Sequence, residues 1–306
     1  MARVKTFLRK HGWSYLFILP TMLTFSVFVL LPVISSLVIS FQKYSLRNGG
    51  TWVDPIYKNY IDAFTTQSGV FLVAIQNTLV YSFFTVISNV LVGLILASLI
   101  QPLSQFFKTF FRAAYYLPAV TSAIVIGMTW RYIYNAQWGL ANFVLRKVCT
   151  ITQELVCIPE VRWLSNPDIA LGSITLSTIL TVPATAVVLF SAAMGGIPKE
   201  YYEAAELDGA GSLRKWWNIT LPLIRSVTLY LAVLYTIASF EVFEKIYIMV
   251  PAGVANATQT IVTQIYQNGF QQFNYGVAAA QAFVLFLMIA GVAVFQFRAL
   301  RSDVEY

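Results

Sequence analysis

Residues 198–225 read PKEYYEAAELDGAGSLRKWWNITLPLIR, a polar interruption between two long apolar runs that still carries helix-forming residues. Four acids fall in it: Glu200, Glu203, Glu206 and Asp208. Pro198 suits the first turn of a helix, where its missing N–H costs nothing, and Gly209 is a helix stop. The spacing predicts a short helix on which Tyr201, Ala204, Ala205 and Asp208 recur at i, i+3, i+4 and i+7. That stripe has two small residues at its centre, so a second surface can approach it closely. Past the Gly209-Ala210-Gly211 bend, Ser212 is placed to cap a second short helix, and Pro222 to open the next apolar run.

Outward from this stretch the chain is a membrane protein by composition. Of 306 residues 58% are hydrophobic and 11% charged, where an average soluble domain carries about 25% charge. The expected class is an all-α integral membrane protein, one transmembrane domain over 1–306 with six transmembrane helices. They run over residues 14–40, 72–100, 113–134, 169–194, 223–250 and 275–297, with the 195–222 loop between the fourth and fifth. The first run follows Arg3, Lys5, Arg9 and Lys10 but is too long for a signal peptide and lacks a small-residue cleavage site, so it is read as a retained span. Pro20 and Pro32 are expected to kink its ends, and Pro183 to bend the fourth span. Residues 42–70, with one short helix, and 135–168 form external loops, and 251–274 form a third that carries no charge.

A net charge of +7 would point to nucleic acid in a soluble protein, but no basic run interleaves with exposed aromatics, so no nucleic-acid partner is expected. Charge instead sets orientation. Six spans with the N-terminus inside put twelve basic residues on the inner side: Arg3, Lys5, Arg9, Lys10, Lys108, Arg112, Lys199, Arg214, Lys215, Arg225, Arg298 and Arg301. Seven fall outside, namely Lys43, Arg47, Lys58, Arg131, Arg146, Lys147 and Arg162, with Lys245 inside the fifth span. The positive-inside rule then places both termini and the 195–222 loop in the cytoplasm. His11 is the sole histidine, Cys149 and Cys157 are the only cysteines, and no Gly-Lys dipeptide occurs. A histidine-based catalytic set, a metal site and a P-loop are therefore not expected in this chain.

Glu203-Ala204-Ala205, Asp208-Gly209-Ala210, Ile219 and Leu221-Pro222-Leu223 together resemble the EAA loop of permease subunits in binding-protein-dependent ABC importers. In that family the loop is cytoplasmic and docks as a coupling helix into a cleft of the ATPase subunit. The resemblance assigns ATPase coupling to Glu203, Ala204, Ala205, Asp208 and Gly209. Trp216 stands where a Phe is usual, and Ser226 where a Pro often follows. FRAAYYLPAVTSAIVIGMTWRYIYN (111–135) and Gly139-Leu140-Ala141-Asn142 are similar to the same family. So are Val242 to Tyr247, and the run from Gln264-Ile265-Tyr266 through Gly276 to Phe286, which match its sugar-importer members; Val250-Pro251-Ala252-Gly253 departs from that pattern. The likeness implies a carbohydrate, polyol or glycerol-phosphate-like solute, carried across a bacterial inner membrane by alternating access. It also implies a second homologous permease, ATP-binding cassette subunits that hold ATP and magnesium, and an extracytoplasmic solute-binding protein, with no cofactor in this chain. An amphipathic interfacial loop is the plainer reading of 198–225. An ion-coupled secondary transporter and a membrane-embedded enzyme are the competing functions, and the chain shows neither an inverted repeat nor a set of carboxylates at mid-membrane.

Glu241, Glu244 and Lys245 are charges inside an apolar run, within roughly a 100° arc of one helix. At about 1.5 Å per residue from Leu223, Glu241 lies about 27 Å from the inner edge of a core about 30 Å thick. With Tyr247 they are candidate pathway residues, Glu241 and Lys245 pairing at i, i+4; an interfacial pair snorkelling to water is the alternative. Trp130, Tyr134 and Tyr235 are weaker candidates, since aromatic stripes usually pack. Cys149 and Cys157 face an oxidising compartment on this topology, which favours a disulfide, with two free thiols as the alternative.

Overall fold

The computed structural model describes residues 15–47, 49–65, 69–152, 157, 159–250 and 252–300. Arg3, Lys5, Arg9, Lys10, Pro251 and Arg301, used above for orientation and loop geometry, lie outside the described residues. The chain groups into two compact parts, one of residues up to Thr66 with Ile265–Phe283, the other of Gln67–Gln264 with the residues from Val284 onward.

In the first part, helix α1 (Tyr15–Ile39) is apolar throughout, and none of its residues is buried. After it comes an antiparallel hairpin of β1 (Gln42–Ser45) and β2 (Gly49–Trp52), in register Gln42 with Trp52, and then α2 (Lys58–Thr65). The hairpin departs from the all-α expectation. It is tied down by Asn59, whose buried Nδ2 donates to the Ser40 and Gln42 carbonyls, each at 2.9 Å. Those carbonyls lie at the strand entry, where no ladder partner serves them.

The second part begins with α3 (Val70–Ile100). It continues through α4 (Gln105–Val120), α5 (Ala123–Ile133), α6 (Leu140–Ile151), α7 (Pro167–Ile179) and α8 (Ala184–Gly195). Next come α9 (Lys199–Leu207), α10 (Ser212–Leu223), α11 (Arg225–Phe240), α12 (Glu244–Met249) and α13 (Ile261–Tyr266). The last helix, α14 (Tyr275–Leu300), starts in the first part and ends in the second. Four helical stretches are long and apolar enough to cross a membrane, Tyr15–Ile39, Val70–Ile100, Pro167–Gly195 and Tyr275–Ala299, and a fifth counts if α10 and α11 are taken as one bent span.

The core of this part joins α3, α8 and α11 through Leu94, Ala97, Ala186, Phe190, Met194, Ile224 and Leu231. Gly93 meets Ala186 there so closely that a Cβ on Gly93 would overlap the alanine methyl. Small residues let helix backbones approach where lipid supplies no hydrophobic drive between helices.

Three runs differ from their sequence reading. The 113–134 span is two helices, because Thr121-Ser122 turns the chain and the Ser122 hydroxyl accepts from the Ile124 N–H as an N-cap at 3.3 Å. The 223–250 span stops at Phe240 and resumes at Glu244. The uncharged 251–274 stretch is mostly helical rather than an open loop. Its first half holds buried neutral polar groups that satisfy one another: Thr263 Oγ1 donates to Gln259 Oε1 at 2.6 Å, and the Thr260 N–H donates to Thr263 Oγ1 at 2.7 Å. Asn77 Nδ2 donates to the Ala257 and Gln259 carbonyls, and Thr78 Oγ1 accepts the Ile261 N–H. Residues 258–261, 263 and 264 are buried, where an unpaired charge would be costly.

Candidate functional site

Two sites emerge in the second part, a surface elbow and a polar joint. The elbow is α9 and α10. Pro198 sits at the N-cap of α9 rather than inside it, and Glu200 lies in the first turn, where the helix N-terminus favours an acid. α9 ends in a Schellman turn: the Gly209 N–H bonds the Glu206 carbonyl at 2.9 Å, and the Ala210 N–H the Ala205 carbonyl at 2.8 Å. Gly209 takes φ +75°, the left-handed value that this turn needs. Ser212 is the first residue of α10, with Gly211 as its cap. Pro222 falls inside α10, just after the π turn Trp216–Thr220 has shifted the backbone pairing by one residue, and the chain bends by 66° at Ile224 before α11.

No residue of α9 is buried. Glu203, Ala204, Asp208 and Gly209 are exposed and Ala205 is half-buried, while Leu207 and Leu213 are 91% and 72% exposed. The foot of the elbow is fixed. Trp216 Nε1 donates to Ser98 Oγ at 2.9 Å, Tyr202 Oη and Thr220 Oγ1 share a hydrogen bond of 2.9 Å, and Lys215 pairs with Glu206 across the bend. Ile197, Trp216 and Leu221 pack against the α3/α8 core. The elbow thus presents exposed apolar side chains on a base held by hydrogen bonds and packing.

The polar joint lies where two helices are interrupted. α7 ends at Ile179 and α8 begins at Ala184 after Pro183, while α11 and α12 are parted at Glu241–Phe243. Lys245 Nζ donates to Thr178 Oγ1 at 2.8 Å, Tyr81 Oη shares a hydrogen bond of 3.0 Å with the same hydroxyl, and Trp130 Nε1 donates to Thr181 Oγ1 at 3.3 Å. α12 packs on α5 over Gly127, with the Ile248 side chain 3.6 Å from where a Gly127 Cβ would be.

The expected pairing of Glu241 with Lys245 is not made. Among the described residues the ion pairs are Arg146–Glu160 and Lys215–Glu206. The break at 241–243 takes Glu241 and Lys245 off a common helix, and Lys245 turns to Thr178 instead. Glu241 and Glu244 are exposed, and Tyr247 stacks on Phe243 with ring centroids 5.3 Å apart. Of the aromatic candidates, Trp130 belongs to the joint, whereas Tyr235 Oη accepts the Ala186 N–H at 3.1 Å and so serves an orphan donor in the first turn of α8. Tyr81, Thr178 and Thr181 are not singled out by the sequence reading; the signal for Thr178 and Thr181 is the hydroxyl-rich run Ser173 to Thr181 just before Pro183. Thr178→Val keeps the side-chain shape and deletes the hydroxyl that Lys245 and Tyr81 share. It is expected to cost about 2–3 kcal/mol, read as a lowered unfolding midpoint in detergent; an unchanged midpoint would mean that Lys245 is solvated by other groups.

Cys149, in α6, and Cys157 are joined by a disulfide with Cα atoms 4.6 Å apart. Beside it, fully buried Asn142 organises the return of the chain. Its Nδ2 donates to the Ala136 and Val161 carbonyls at 2.9 and 3.0 Å, and its Oδ1 accepts from the Val161 N–H and from Trp163 Nε1 at 3.3 and 2.9 Å.

Long apolar helices, two of them interrupted around half-buried hydroxyls, are those of a multi-pass membrane protein. The chain belongs to the family of binding-protein-dependent transport system inner membrane components, matched over residues 8–301. It is 32% identical over 290 residues to the arabinooligosaccharides transport system permease protein AraP of Bacillus subtilis (strain 168), covering 94% of this chain and 88% of that one. It is 29% identical over 237 residues to the sn-glycerol-3-phosphate transport system permease protein UgpA of Agrobacterium fabrum, covering 77% of this chain and 78% of that one. The lactose transport system permease protein LacF of Rhizobium radiobacter is 27% identical over 313 residues, covering 98% of this chain and 97% of that one. A bacterial ABC transporter involved in the import of the acidic polysaccharide alginate shares the fold. One of its chains has a TM-score of 0.83 at 22% identity, with 99% of this chain and 100% of that one covered. Family membership sets aside the ion-coupled transporter and membrane-enzyme readings.

Proposed function

We propose that this chain is one permease subunit of an ABC importer for a sugar or oligosaccharide, in the class that also handles sugar-like polyols and glycerol-phosphate-like solutes. Six spans with both termini cytoplasmic in a bacterial inner membrane are the topology of this reading, the α10–α11 bend and the α4–α5 pair each counting as part of a span. The partners are a second homologous permease, ATP-binding cassette subunits and an extracytoplasmic solute-binding protein. ATP and magnesium are held by the cassette subunits, and this chain carries no catalysis. The cycle is alternating access, with α9 as the coupling helix and Glu203, Ala204, Ala205, Asp208 and Gly209 in the docking contact. The polar joint around Lys245 and Thr178, with Glu241, Glu244 and Tyr247 nearby, is the stretch of the solute route that this chain contributes.

The observation that carries the coupling reading is the elbow itself, a motif that resembles the family's and whose helix has no fully buried residue while its foot is locked to α3 and α8. Co-purification from a membrane that also expresses the cassette subunits tests it. Glu203→Lys reverses a charge on the exposed face and is expected to lower cassette recovery and uptake roughly tenfold with insertion unchanged. Wild-type recovery and uptake would remove α9 from the coupling role.

A further inference from the structure

We propose that the cleft at the outer end of α5 is a binding subsite for an anionic saccharide, separate from the polar joint. It encloses about 690 Å³ between the end of α5, the turn after it and the segment 160–165. That lies inside the range of roughly 300–1,000 Å³ found for small-molecule sites, and exceeds what one side chain of an opposing protein would fill.

The chemistry of the walls selects the ligand. Arg131 and Arg162 both line the cleft and both are exposed. Arg131 spends one N–H on the Ile248 carbonyl at 3.2 Å, and the Arg162 guanidinium has no side-chain partner among the described residues. Glu160, the one acid in the lining, is already neutralised by Arg146 at 2.8 Å. The cleft therefore presents two guanidinium forks without a countercharge, and planar forks match a carboxylate or phosphate in bidentate fashion. Asn135 and Gln137 add side-chain amides; Asn135 Oδ1 is taken by the Gln137 and Trp138 N–H groups, which leaves its Nδ2 as a donor. One wall is the half-buried Trp163, backed by buried Tyr134 with ring centroids 5.4 Å apart. Amides for hydroxyls, a flat aromatic wall for a pyranose ring and paired forks for an acid group describe a sugar bearing a carboxylate or a phosphate ester.

The walls of the cleft are fixed by their own hydrogen bonds and packing. Asn142 ties 160–165 to the turn after α5, Tyr134 Oη donates to the Ser173 carbonyl at 2.9 Å, and Leu164 and Tyr134 share a buried cluster with Met249. A pre-formed site avoids the ordering cost of assembling one on binding.

The test is isothermal titration of the full chain in nanodiscs with three probes: trigalacturonate, glucose 6-phosphate and uncharged maltotriose. One of the two anions is expected to bind, which decides between the carboxylate and phosphate forms, and maltotriose to bind at least tenfold more weakly. Arg162→Gln, at an exposed position that bears no packing, is expected to raise the Kd of the bound anion roughly tenfold, and Gln137→Ala to raise it less. Binding of maltotriose as tight as that of the anions, an Arg162→Gln Kd within twofold of wild type, or no anion binding at millimolar concentration would each overturn the assignment. The cassette subunits are absent from the measurement, so its outcome is independent of the coupling reading.

Discussion

Gly209→Val is expected to abolish uptake while leaving a normally inserted protein. Gly209 holds φ +75° with no atom within 4 Å of where its Cβ would be, so the penalty is conformational and not steric crowding by neighbours. A left-handed backbone costs an ordinary L-residue about 1–2 kcal/mol, and a β-branched side chain stands at the upper end. The turn relaxes by giving up the Gly209–Glu206 and Ala210–Ala205 hydrogen bonds, and α9 then leaves α10 at a different angle. Because no residue of α9 is fully buried, the folded core loses little and, on the proposed coupling role, the effect falls on docking. Gly209→Asn is the matched control: asparagine tolerates the left-handed region and should retain most uptake. Uptake and cassette recovery are measured side by side at equal expression. If valine and asparagine behave alike, the turn does not aim the helix.

Asn142→Ala is expected to be the most destabilising single change in the second part. The amide makes four hydrogen bonds at a position 0% exposed, and alanine leaves the Ala136 and Val161 carbonyls and two N–H groups without partners. Each buried polar group left unpaired costs about 1–3 kcal/mol, and water entering the gap repairs part of that, so a net loss of about 3–5 kcal/mol is expected. Thermal unfolding in detergent and limited proteolysis within 152–165 report it. A loss under about 1 kcal/mol would mean that the disulfide and the Tyr134–Trp163 stack hold the loop by themselves.

Local chemistry made some features readable and tertiary packing concealed others. The α9 turn was legible because Pro198, the acids and Gly209 are short-range signals, each acting on its own backbone. Pro183 likewise marks a break within a residue of it, whereas the Ser122 cap lies inside a run that reads as one continuous span. The interruption at Glu241–Phe243 carries neither Pro nor Gly, and its neighbours set it: Lys245 reaches Thr178 and α12 packs over Gly127, contacts more than sixty residues away in sequence. The charged pair inferred from helical spacing failed for the same reason, since spacing arguments hold only while the helix is continuous. The 42–52 hairpin escaped because QKYS and GGTW lack the alternation of a half-buried strand; a side chain from α2 anchors its base. Hydroxyls in α7 looked like ordinary helix residues until the fold turned them toward one lysine.

The buried network of Asn77, Thr78, Gln259, Thr260 and Thr263 has a thermodynamic corollary. Amides and hydroxyls do not titrate in the physiological range, and their mutual hydrogen bonds carry no net charge for salt to screen. Stability changes with pH only where the folded and unfolded chains bind different numbers of protons, so these hydrogen bonds contribute the same free energy in acidic and alkaline surroundings. Acid sensitivity therefore originates with ionisable groups elsewhere, those of the elbow, the polar joint and the cleft among them, and the segment after α12 acts as an inert reference against which those responses are read.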